Sequence, residues 1–368
     1  MFIFIGITAL LIYGGLVYYI GWRGYRWLRP EMSTRRFKLL YIVVVTMVAT
    51  SFMFGRMSGS VVLGKLGAYW MAVFFLLVLL VPIAHLTVIV LRYTRLPRRG
   101  TQLWAGSLTL ALTVFLMLYG TYNAYSPVVS RYAIQIAGGE QAGSLRIAAA
   151  ADTHFGLLSG QGHAERLVQE VNALKPDIIL LPGDLFDDDI RPFLDQRIDQ
   201  TLSKLQAPYG VYATLGNHDR HDGSVEQLIA ALTDSGIHVL YDEAVTVDDR
   251  FTLVGRRDYS DSHRQPLEEV MRGVDRSKPV ILLDHQPNAL DEAERAGVDL
   301  VLSGHTHRGQ VFPGSVITNL IFENDWGLLQ RGEFHSIVTQ GYGFWGPPIR
   351  LGTRSEIVLI EAEFQPSS

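Results

Sequence analysis

The sequence predicts an α/β domain preceded by an all-α bundle of about four apolar helices. Long apolar stretches are confined to the first third of the 368 residues, and charge divides sharply along the chain. In the remainder, short β-rich runs alternate with amphipathic stretches. We assign residues 1–122 to a membrane-spanning helical domain, 123–144 to a connector, 145–362 to the α/β domain and 363–368 to a tail.

The apolar stretches have the length of membrane spans. A helix needs roughly 20 mostly apolar residues to cross the hydrocarbon core. A signal peptide is a single hydrophobic run, so four runs in series favour four spans over a signal segment followed by core helices. The predicted spans are residues 2–20, 39–54, 68–91 and 103–119, and the second is the shortest.

Charge distribution predicts the orientation of these spans. Residues 1–125 hold twelve Lys and Arg but one acid, Glu31, whereas the remainder holds twenty basic and thirty-five acidic residues. The basic residues concentrate in the loops after the first and third spans, and such loops stay cytoplasmic. We therefore expect a multi-pass protein with both ends and the α/β domain on the periplasmic or extracellular side. The bilayer is its first expected partner, and the oligomeric state stays open.

The α/β domain is predicted from strands that alternate with helices. Residues 164–174 and 225–232 have apolar positions at helical spacing. In such a domain the site lies at the carboxyl ends of the strands. The predicted strands are residues 145–151, 177–181, 211–215, 280–283 and 300–302.

Each of these strands is followed by a polar cluster. Buried carboxylates and imidazoles repel one another or stay unsatisfied unless cations neutralise them. The chain has no cysteine, so nitrogen and oxygen must hold any metal, and this donor set suits Mn, Fe, Zn or similar divalent ions. The clusters are Asp152-Thr153-His154, Gly183-Asp184-Leu185-Phe186-Asp187, Gly216-Asn217-His218-Asp219, Asp284-His285 and Gly304-His305-Thr306-His307.

In order and type, the clusters resemble the DxH, GDxxD, GNH, isolated His and GHxH signature of the calcineurin-like metallophosphoesterase superfamily. The resemblance covers about residues 145–362. The segment from Gly341 to Glu356 resembles the end of its membrane-anchored branch, in which apolar helices precede the catalytic domain. The resemblance implies a metallophosphoesterase-type β-sandwich flanked by helices. One departure is Asp219, where Glu is more usual, but that position is not a family ligand.

The resemblance also implies a site carried over residue by residue. Two divalent ions (Mn, Fe, Zn or Mg, with Mn favoured) would share a bridging hydroxide that attacks the phosphoester. His218 would stabilise developing charge and protonate the leaving alkoxide, and Asp187 would orient and charge His218. Arg308 is either a phosphate contact or part of a surface ion pair. The implied ligands are Asp152, His154 and His307 for one ion, Asn217, His285 and His305 for the other, and Asp184 between them.

The expected function is hydrolysis of a phosphomonoester or phosphodiester of a lipid or envelope molecule. The apolar segment 311–329 is expected to be core. Alternatively, it lines a channel or touches the bilayer, which would favour a lipid-linked substrate. A relative of the UDP-2,3-diacylglucosamine hydrolases of lipid A synthesis is an alternative, although those act on cytoplasmic substrate. The soluble part has fifteen more acids than bases, which disfavours nucleic acid. A non-catalytic, metal-stabilised receptor or scaffold is the remaining alternative.

Overall fold

The computed structural model describes residues 2–28, 34–138 and 143–365. The chain divides into two compact units, the first made of residues 1–121 with 346–348 and the second of residues 122–345 with 349–368. Some sequence predictions fall outside the described residues: the part of the first basic loop at 29–33, the part of the connector at 139–142 and the end of the tail at 366–368.

Long apolar helices make up the first unit. Among the described residues, four helices are long and apolar enough to cross a membrane, which confirms the predicted number. The shortest predicted span lies within a 24-residue helix. The Thr34 side chain caps the start of this helix by accepting a hydrogen bond from the Phe37 nitrogen. The helices are α1 (Phe2–Leu28), α2 (Arg35–Ser58), α3 (Val61–Leu91) and α4 (Arg98–Tyr125).

The first three helices pack closely through small residues and polar contacts. A Cβ atom at Gly67 of α3 would lie 2.4 Å from the Phe52 Cα of α2. The Tyr13 hydroxyl of α1 donates to the Ala49 carbonyl at 2.6 Å and accepts from the Trp70 indole at 2.7 Å. Close backbone approach and interhelical hydrogen bonds are typical of packing in membranes, where lipid removes the hydrophobic drive between helices.

Two six-stranded sheets form the second unit as far as the structure describes it. The strands are β1 (Val128–Ala137), β2 (Gly143–Ala149), β3 (Ile178–Pro182), β4 (Val211–Thr214), β5 (Ile237–Val239), β6 (Glu243–Val247), β7 (Phe251–Gly255), β8 (Val280–Leu283), β9 (Leu300–Ser303), β10 (Gly327–Arg331), β11 (Phe334–Val338) and β12 (Glu356–Gln365). Their orders are β1-β12-β2-β3-β4-β5 and β10-β11-β9-β8-β7-β6. Strands β2 to β5 are parallel, as are β7, β8, β9 and β11.

The sheets form a sandwich with helices outside, which confirms the predicted fold class. One buried cluster joins side chains of both sheets, such as Leu180 of β3 and Leu302 of β9. The next residue of β3, Leu181, faces the opposite side of the sheet and packs in a second cluster with Leu167 and Leu228, because successive strand residues face opposite sides. The helices of this unit are α5 (Gln161–Ala173), α6 (Arg191–Asp195), α7 (Ile198–Leu202), α8 (Val225–Asp234), α9 (Leu267–Val270), α10 (Leu290–Arg295) and α11 (Gly314–Ile321).

Strand β1 lies inside the segment that the sequence predicts as a connector. It pairs in parallel with β12 over ten residues, from Val128 opposite Glu356 to Ala137 opposite Gln365. Its partner comes from the far end of the chain, and along β1 exposed positions alternate with buried or half-buried ones. The first sheet therefore extends beyond residues 145–362 in both directions.

Candidate metal centre

The parallel strand ends bring the predicted polar clusters together. Asp152 and His154 follow β2, Asp184 follows β3, and Asn217 follows β4. His285 follows β8 in the other sheet, while His305 and His307 follow β9. Both sheets thus contribute to one site at the carboxyl ends of their strands, where α/β folds place ligands.

Three of these residues form a first group of possible ligand atoms. Asp152, His154 and His307 are buried, and one donor atom from each lies within 4.8 Å of the others. The Nε2 atoms of His154 and His307 face each other at 3.0 Å. His307 Nε2 is also 3.8 Å from a carboxylate oxygen of Asp152. These are the three residues that the resemblance implies for one ion, with Asp184 shared.

A second group lies beside the first. Donor atoms of Asp184, His285 and His305 lie within 4.8 Å of one another, and His285 Nε2 is 3.1 Å from Asp184 Oδ2. His285 Nδ1 faces the Pro182 carbonyl at 2.9 Å and donates to it, which leaves Nε2 toward the site. The same Asp184 oxygen is 3.8 Å from His154 Nε2, so this carboxylate faces both groups.

This donor set fits divalent ions. Two nitrogen ligands about 2.0–2.1 Å from one ion and at a right angle stand about 3 Å apart, which is the separation between His154 and His307 Nε2 atoms. The Asn217 Oδ1 atom is buried and has no hydrogen-bond partner among the described residues. A buried, unsatisfied amide oxygen is costly. A cation would satisfy it.

Burial keeps most imidazoles of the site neutral. It lowers the pKa of His154 to about 3 and that of His305 to about 4, and it holds the pKa of His307 well below the ordinary value. Neutral imidazole is the form that coordinates a metal. For His285, burial also lowers the pKa, but attraction to Asp184 outweighs it, so the pKa of His285 is raised.

The pKa values of Asp152 and Asp184 are shifted in opposite directions. Burial raises the pKa of Asp152 to about 7 against the opposing attraction of His285. Burial acts in the same direction on Asp184, but attraction and hydrogen bonding to His285 outweigh it and hold the pKa of Asp184 below its usual range. A bound cation would favour the charged carboxylate at both positions.

Five of the seven implied ligands have a left-handed backbone conformation. The φ angles are 51° at Asp152, 41° at His154, 53° at Asp184, 70° at His305 and 46° at His307. This conformation is uncommon for residues other than glycine and costs on the order of 1–3 kcal/mol each. Such strain persists only where surrounding structure holds it.

Two motif glycines leave room for the carboxylates. A Cβ atom at Gly216 would lie 2.1 Å from Asp184 Oδ1, and one at Gly304 would lie 2.4 Å from Asp152 Oδ2. Both distances are far below van der Waals contact, so no other residue fits without displacing a carboxylate. The glycines of the GNH and GHTH clusters therefore shape the site.

The pairing at His218 differs from the expectation for Asp187. His218 Nδ1 lies 2.6 Å from Asp188 Oδ1, so Asp188 accepts the hydrogen bond. Asp188 has a φ of 50°, and this turn of the chain brings the later residue to His218. Asp187 lies 3.8 Å from His154 Nδ1, and its carboxylate is within 4.8 Å of a His218 ring nitrogen. Burial lowers the pKa of His218, but the bond to Asp188 and the charge of Asp184 outweigh it and raise the pKa.

Asp219 is a buried carboxylate that links two loops of the site. Its oxygens accept from the backbone nitrogens of Leu185 at 2.8 Å, Phe186 at 3.1 Å and Gly216 at 2.8 Å. Sequence analysis assigned no role to this residue. It fixes the loop that bears Asp184 against the loop that bears Asn217.

Arg350 is a second residue that sequence reasoning did not place in the site. It is fully buried, its Nη2 atom lies 3.2 Å from His307 Nδ1, and it donates to the carbonyls of Gly341 and Gly343 at 3.2 and 2.6 Å. Burial lowers its pKa to about 10, so it stays charged at neutral pH. The one sequence feature that could have indicated this role is the position of Arg350 in the closing segment that resembles the family.

Two further expectations differ from the structure. The guanidinium of Arg308 lies 3.8 Å from the ring centroid of Trp326, a stacking contact that neither alternative for Arg308 included. The apolar segment 311–329 was expected to be core, and for α11 this is wrong: none of its residues is buried. Leu320 is 81% exposed and Ile321 is 67% exposed.

The fold and the converging donor residues define a metallophosphoesterase domain. The family model of the calcineurin-like phosphoesterases matches residues 145–309. An uncharacterized metallophosphoesterase of Aquifex aeolicus (strain VF5) is 35% identical over 258 residues, which cover 68% of this chain and 97% of that protein. The chain belongs to the calcineurin-like metallophosphoesterase family, which uses a dinuclear metal centre.

Two further relatives are named as transmembrane proteins. The "transmembrane protein with metallophosphoesterase domain" of Danio rerio is 33% identical over 270 residues, covering 69% of this chain and 61% of that protein. The protein of the same name from Bos taurus is 32% identical over 241 residues, covering 61% of this chain and 54% of that protein. The chain therefore spans about half to three fifths of these two relatives.

Proposed function

We propose that this chain is a membrane-anchored phosphoesterase that uses two divalent ions to hydrolyse a phosphomonoester or phosphodiester of a lipid. The observation that carries the proposal is the convergence of two donor groups on the Asp184 carboxylate, 3.8 Å from His154 Nε2 and 3.1 Å from His285 Nε2. When bound, the ions would polarise the phosphoryl oxygens and lower the pKa of a coordinated water.

The chain's own residues would divide the binding as follows. Asp184 would serve both ions, since its carboxylate faces both groups. Manganese is favoured among Mn, Fe, Zn and Mg. Asn217 would complete the second set with the oxygen that otherwise lacks a partner. The proposed ligands are Asp152, His154 and His307 for one ion and Asn217, His285 and His305 for the other.

His218 would donate the proton that the leaving alkoxide needs. Its Nδ1 atom is held by Asp188, which leaves Nε2 for the substrate. The bond to Asp188 and the charge of Asp184 outweigh burial and raise the pKa of His218, so more of it carries a proton near pH 7. Asp187 adds a third negative charge nearby.

An exposed apolar surface beside the site supports a lipid substrate. We call it the apolar platform: Phe312, Ile317, Leu320 and Ile321, which are 61%, 56%, 81% and 67% exposed. The next residue, Phe322, has its ring centroid 5.9 Å from that of His305. Large apolar side chains clustered at the surface mark interaction sites. Here they would hold acyl chains or the bilayer interface next to the metal ligands.

The basic loops support an extracytoplasmic position of the catalytic domain. Lys and Arg concentrate around the junction of α1 with α2 and the junction of α3 with α4, and such basic flanks stay cytoplasmic. The catalytic domain would then lie outside the cytoplasm. This topology favours an envelope lipid over the cytoplasmic substrate of a lipid A hydrolase.

The first test uses full-length protein purified in detergent, stripped of metal and reloaded with Mn, Zn, Fe or Mg. Hydrolysis of bis-p-nitrophenyl phosphate and p-nitrophenyl phosphate is measured beside an Asp184→Asn control. We expect metal-restored turnover that is absent from the control. Equal rates for both proteins with every metal would reject the catalytic proposal and leave a metal-stabilised binding module.

The lipid proposal is tested separately with Leu320→Ser/Ile321→Ser. Burial of one such side chain contributes about 1.5–3 kcal/mol, so hydrolysis of phosphatidic acid in vesicles should fall at least about tenfold. Turnover of p-nitrophenyl phosphate should stay unchanged. Tyr259→Ser, which alters an exposed residue outside the platform, is the matched control. Equal losses on both substrates would refute the role of the platform.

A further inference from the structure

The helices of the first unit line a mostly apolar, partly open cavity, which we call the apolar chamber. A cavity of about 260 Å³ lies between α1, α3 and α4. Its lining includes Trp27, Val81, Ala84 and Leu110. Along α4 the lining runs from Gln102 to Leu110, eight residues or about 12 Å at 1.5 Å per residue. The chamber therefore has the depth of the first several carbons of an acyl chain.

A basic mouth adjoins this chamber. A second cavity of about 500 Å³ shares Arg23 and Arg26 of α1 with the chamber and adds Arg92 and Arg98. His85 of α3 lines both cavities. We call these four arginines the basic mouth. It lies where α1 and α3 end and α4 begins, the end predicted to face the cytoplasm.

Helices α1 to α4 contain no carboxylate that could pair with the basic mouth. The single acid among residues 1–125 is Glu31, which lies outside the described residues. Arg26, Arg92 and Arg98 are exposed and Arg23 is partly buried. Guanidinium groups gathered at one rim repel one another unless an anion lies between them. Because helices α1 to α4 contain no Asp or Glu, the compensating charge must come from elsewhere.

The chemistry of the basic mouth and of the chamber indicates the class of ligand. Guanidinium groups bind phosphate through paired N–H donors, and an apolar chamber takes hydrocarbon. We propose that the basic mouth and the chamber bind an anionic phospholipid, with its phosphate at the arginines and the first part of an acyl chain between the helices. This site lies within the membrane unit, and the proposal does not depend on catalysis at the metal centre.

Ordinary attraction of basic loops to the bilayer surface is the competing explanation. It would treat all basic residues at this end alike. Arg35 and Arg36 begin α2 and line neither cavity. Arg35→Gln/Arg36→Gln therefore removes two charges, as Arg23→Gln/Arg92→Gln does, without touching the proposed site. This pair of double variants separates a built site from a basic surface.

The experiment is native mass spectrometry of the delipidated full-length protein in detergent. It is titrated with phosphatidylglycerol, phosphatidylcholine or inorganic phosphate. Wild type should bind phosphatidylglycerol at least about tenfold more tightly than phosphatidylcholine. Each lost basic residue should weaken that binding about fivefold, the fold-change equivalent to about 1 kcal/mol. Arg23→Gln/Arg92→Gln should thus lose about 25-fold, while Arg35→Gln/Arg36→Gln stays within twofold.

Ala84→Leu tests the chamber without changing charge. The larger side chain fills part of the cavity and should weaken phosphatidylglycerol binding at least fivefold. If the arginine variant fails to fold, this variant decides alone. Equal losses from both arginine pairs, or equal affinity for both lipids, would overturn the proposal. So would binding of inorganic phosphate as tight as that of phosphatidylglycerol together with no effect of Ala84→Leu, because the site would then take a free anion.

Discussion

Replacing Asp219 by Asn should loosen the two loops that carry Asp184 and Asn217. The wild-type carboxylate accepts from three backbone nitrogens, one on one oxygen and two on the other. The Asn amide has one acceptor oxygen, so if that oxygen keeps Leu185 and Phe186, its NH₂ group faces the Gly216 N–H. A buried donor left without an acceptor costs about 1–3 kcal/mol.

Hydrogen exchange of the full-length protein measures this effect locally. Because each 1.4 kcal/mol corresponds to a factor of ten, amides of residues 184–187 and 216–219 should exchange about 5 to 150 times faster when they exchange through local opening. Asp234→Asn, at an exposed position, is the control and should leave these peptides unchanged. Wild-type exchange rates in Asp219→Asn would show that the carboxylate does not hold the loops.

Three further predictions concern Arg350, His218 and Asp299. Arg350→Met should weaken metal binding about 10- to 100-fold in a metal titration, because Arg350 contacts His307 and buried carbonyls; an unchanged titration would remove it from the site. His218→Asn should lose natural phosphoesters far more than p-nitrophenyl esters, since a good leaving group needs no acid; equal losses would contradict proton donation. Burial raises the pKa of Asp299 to about 6, so the folded state binds its proton more tightly and loses stability as pH rises. Asp299→Asn should therefore gain about 1 kcal/mol relative to wild type between pH 5 and pH 7 in thermal denaturation, and no change would contradict the shift.

The sequence predicts the strands of the site well because each motif follows a short apolar run. Predicted strands 280–283 and 300–302 match β8 and β9 within one residue. Parallel pairing then forces their carboxyl ends to one edge, so the grouping of the clusters follows from topology. The four apolar helices are predicted equally well, since length and composition alone define them.

Other features depend on contacts that no local pattern records. Whether Asp187 or Asp188 reaches His218 is decided by one left-handed residue in a loop. Strand β1 pairs with a strand more than 200 residues away. Arg350 meets His307 across 43 residues of chain. The exposure of α11 was missed because an apolar helix has the same sequence whether it is covered by protein or left open.

The left-handed backbone at Asp152, His154, Asp184, His305 and His307 bears on how such a domain would decay. Glycine would adopt each of these conformations without strain, so nothing in the backbone would oppose glycine at these positions if ligation brought no benefit. In this chain all five keep side chains that can coordinate. The alternative of a receptor that has lost its chemistry must therefore explain why all five left-handed positions at the site are still occupied by donors.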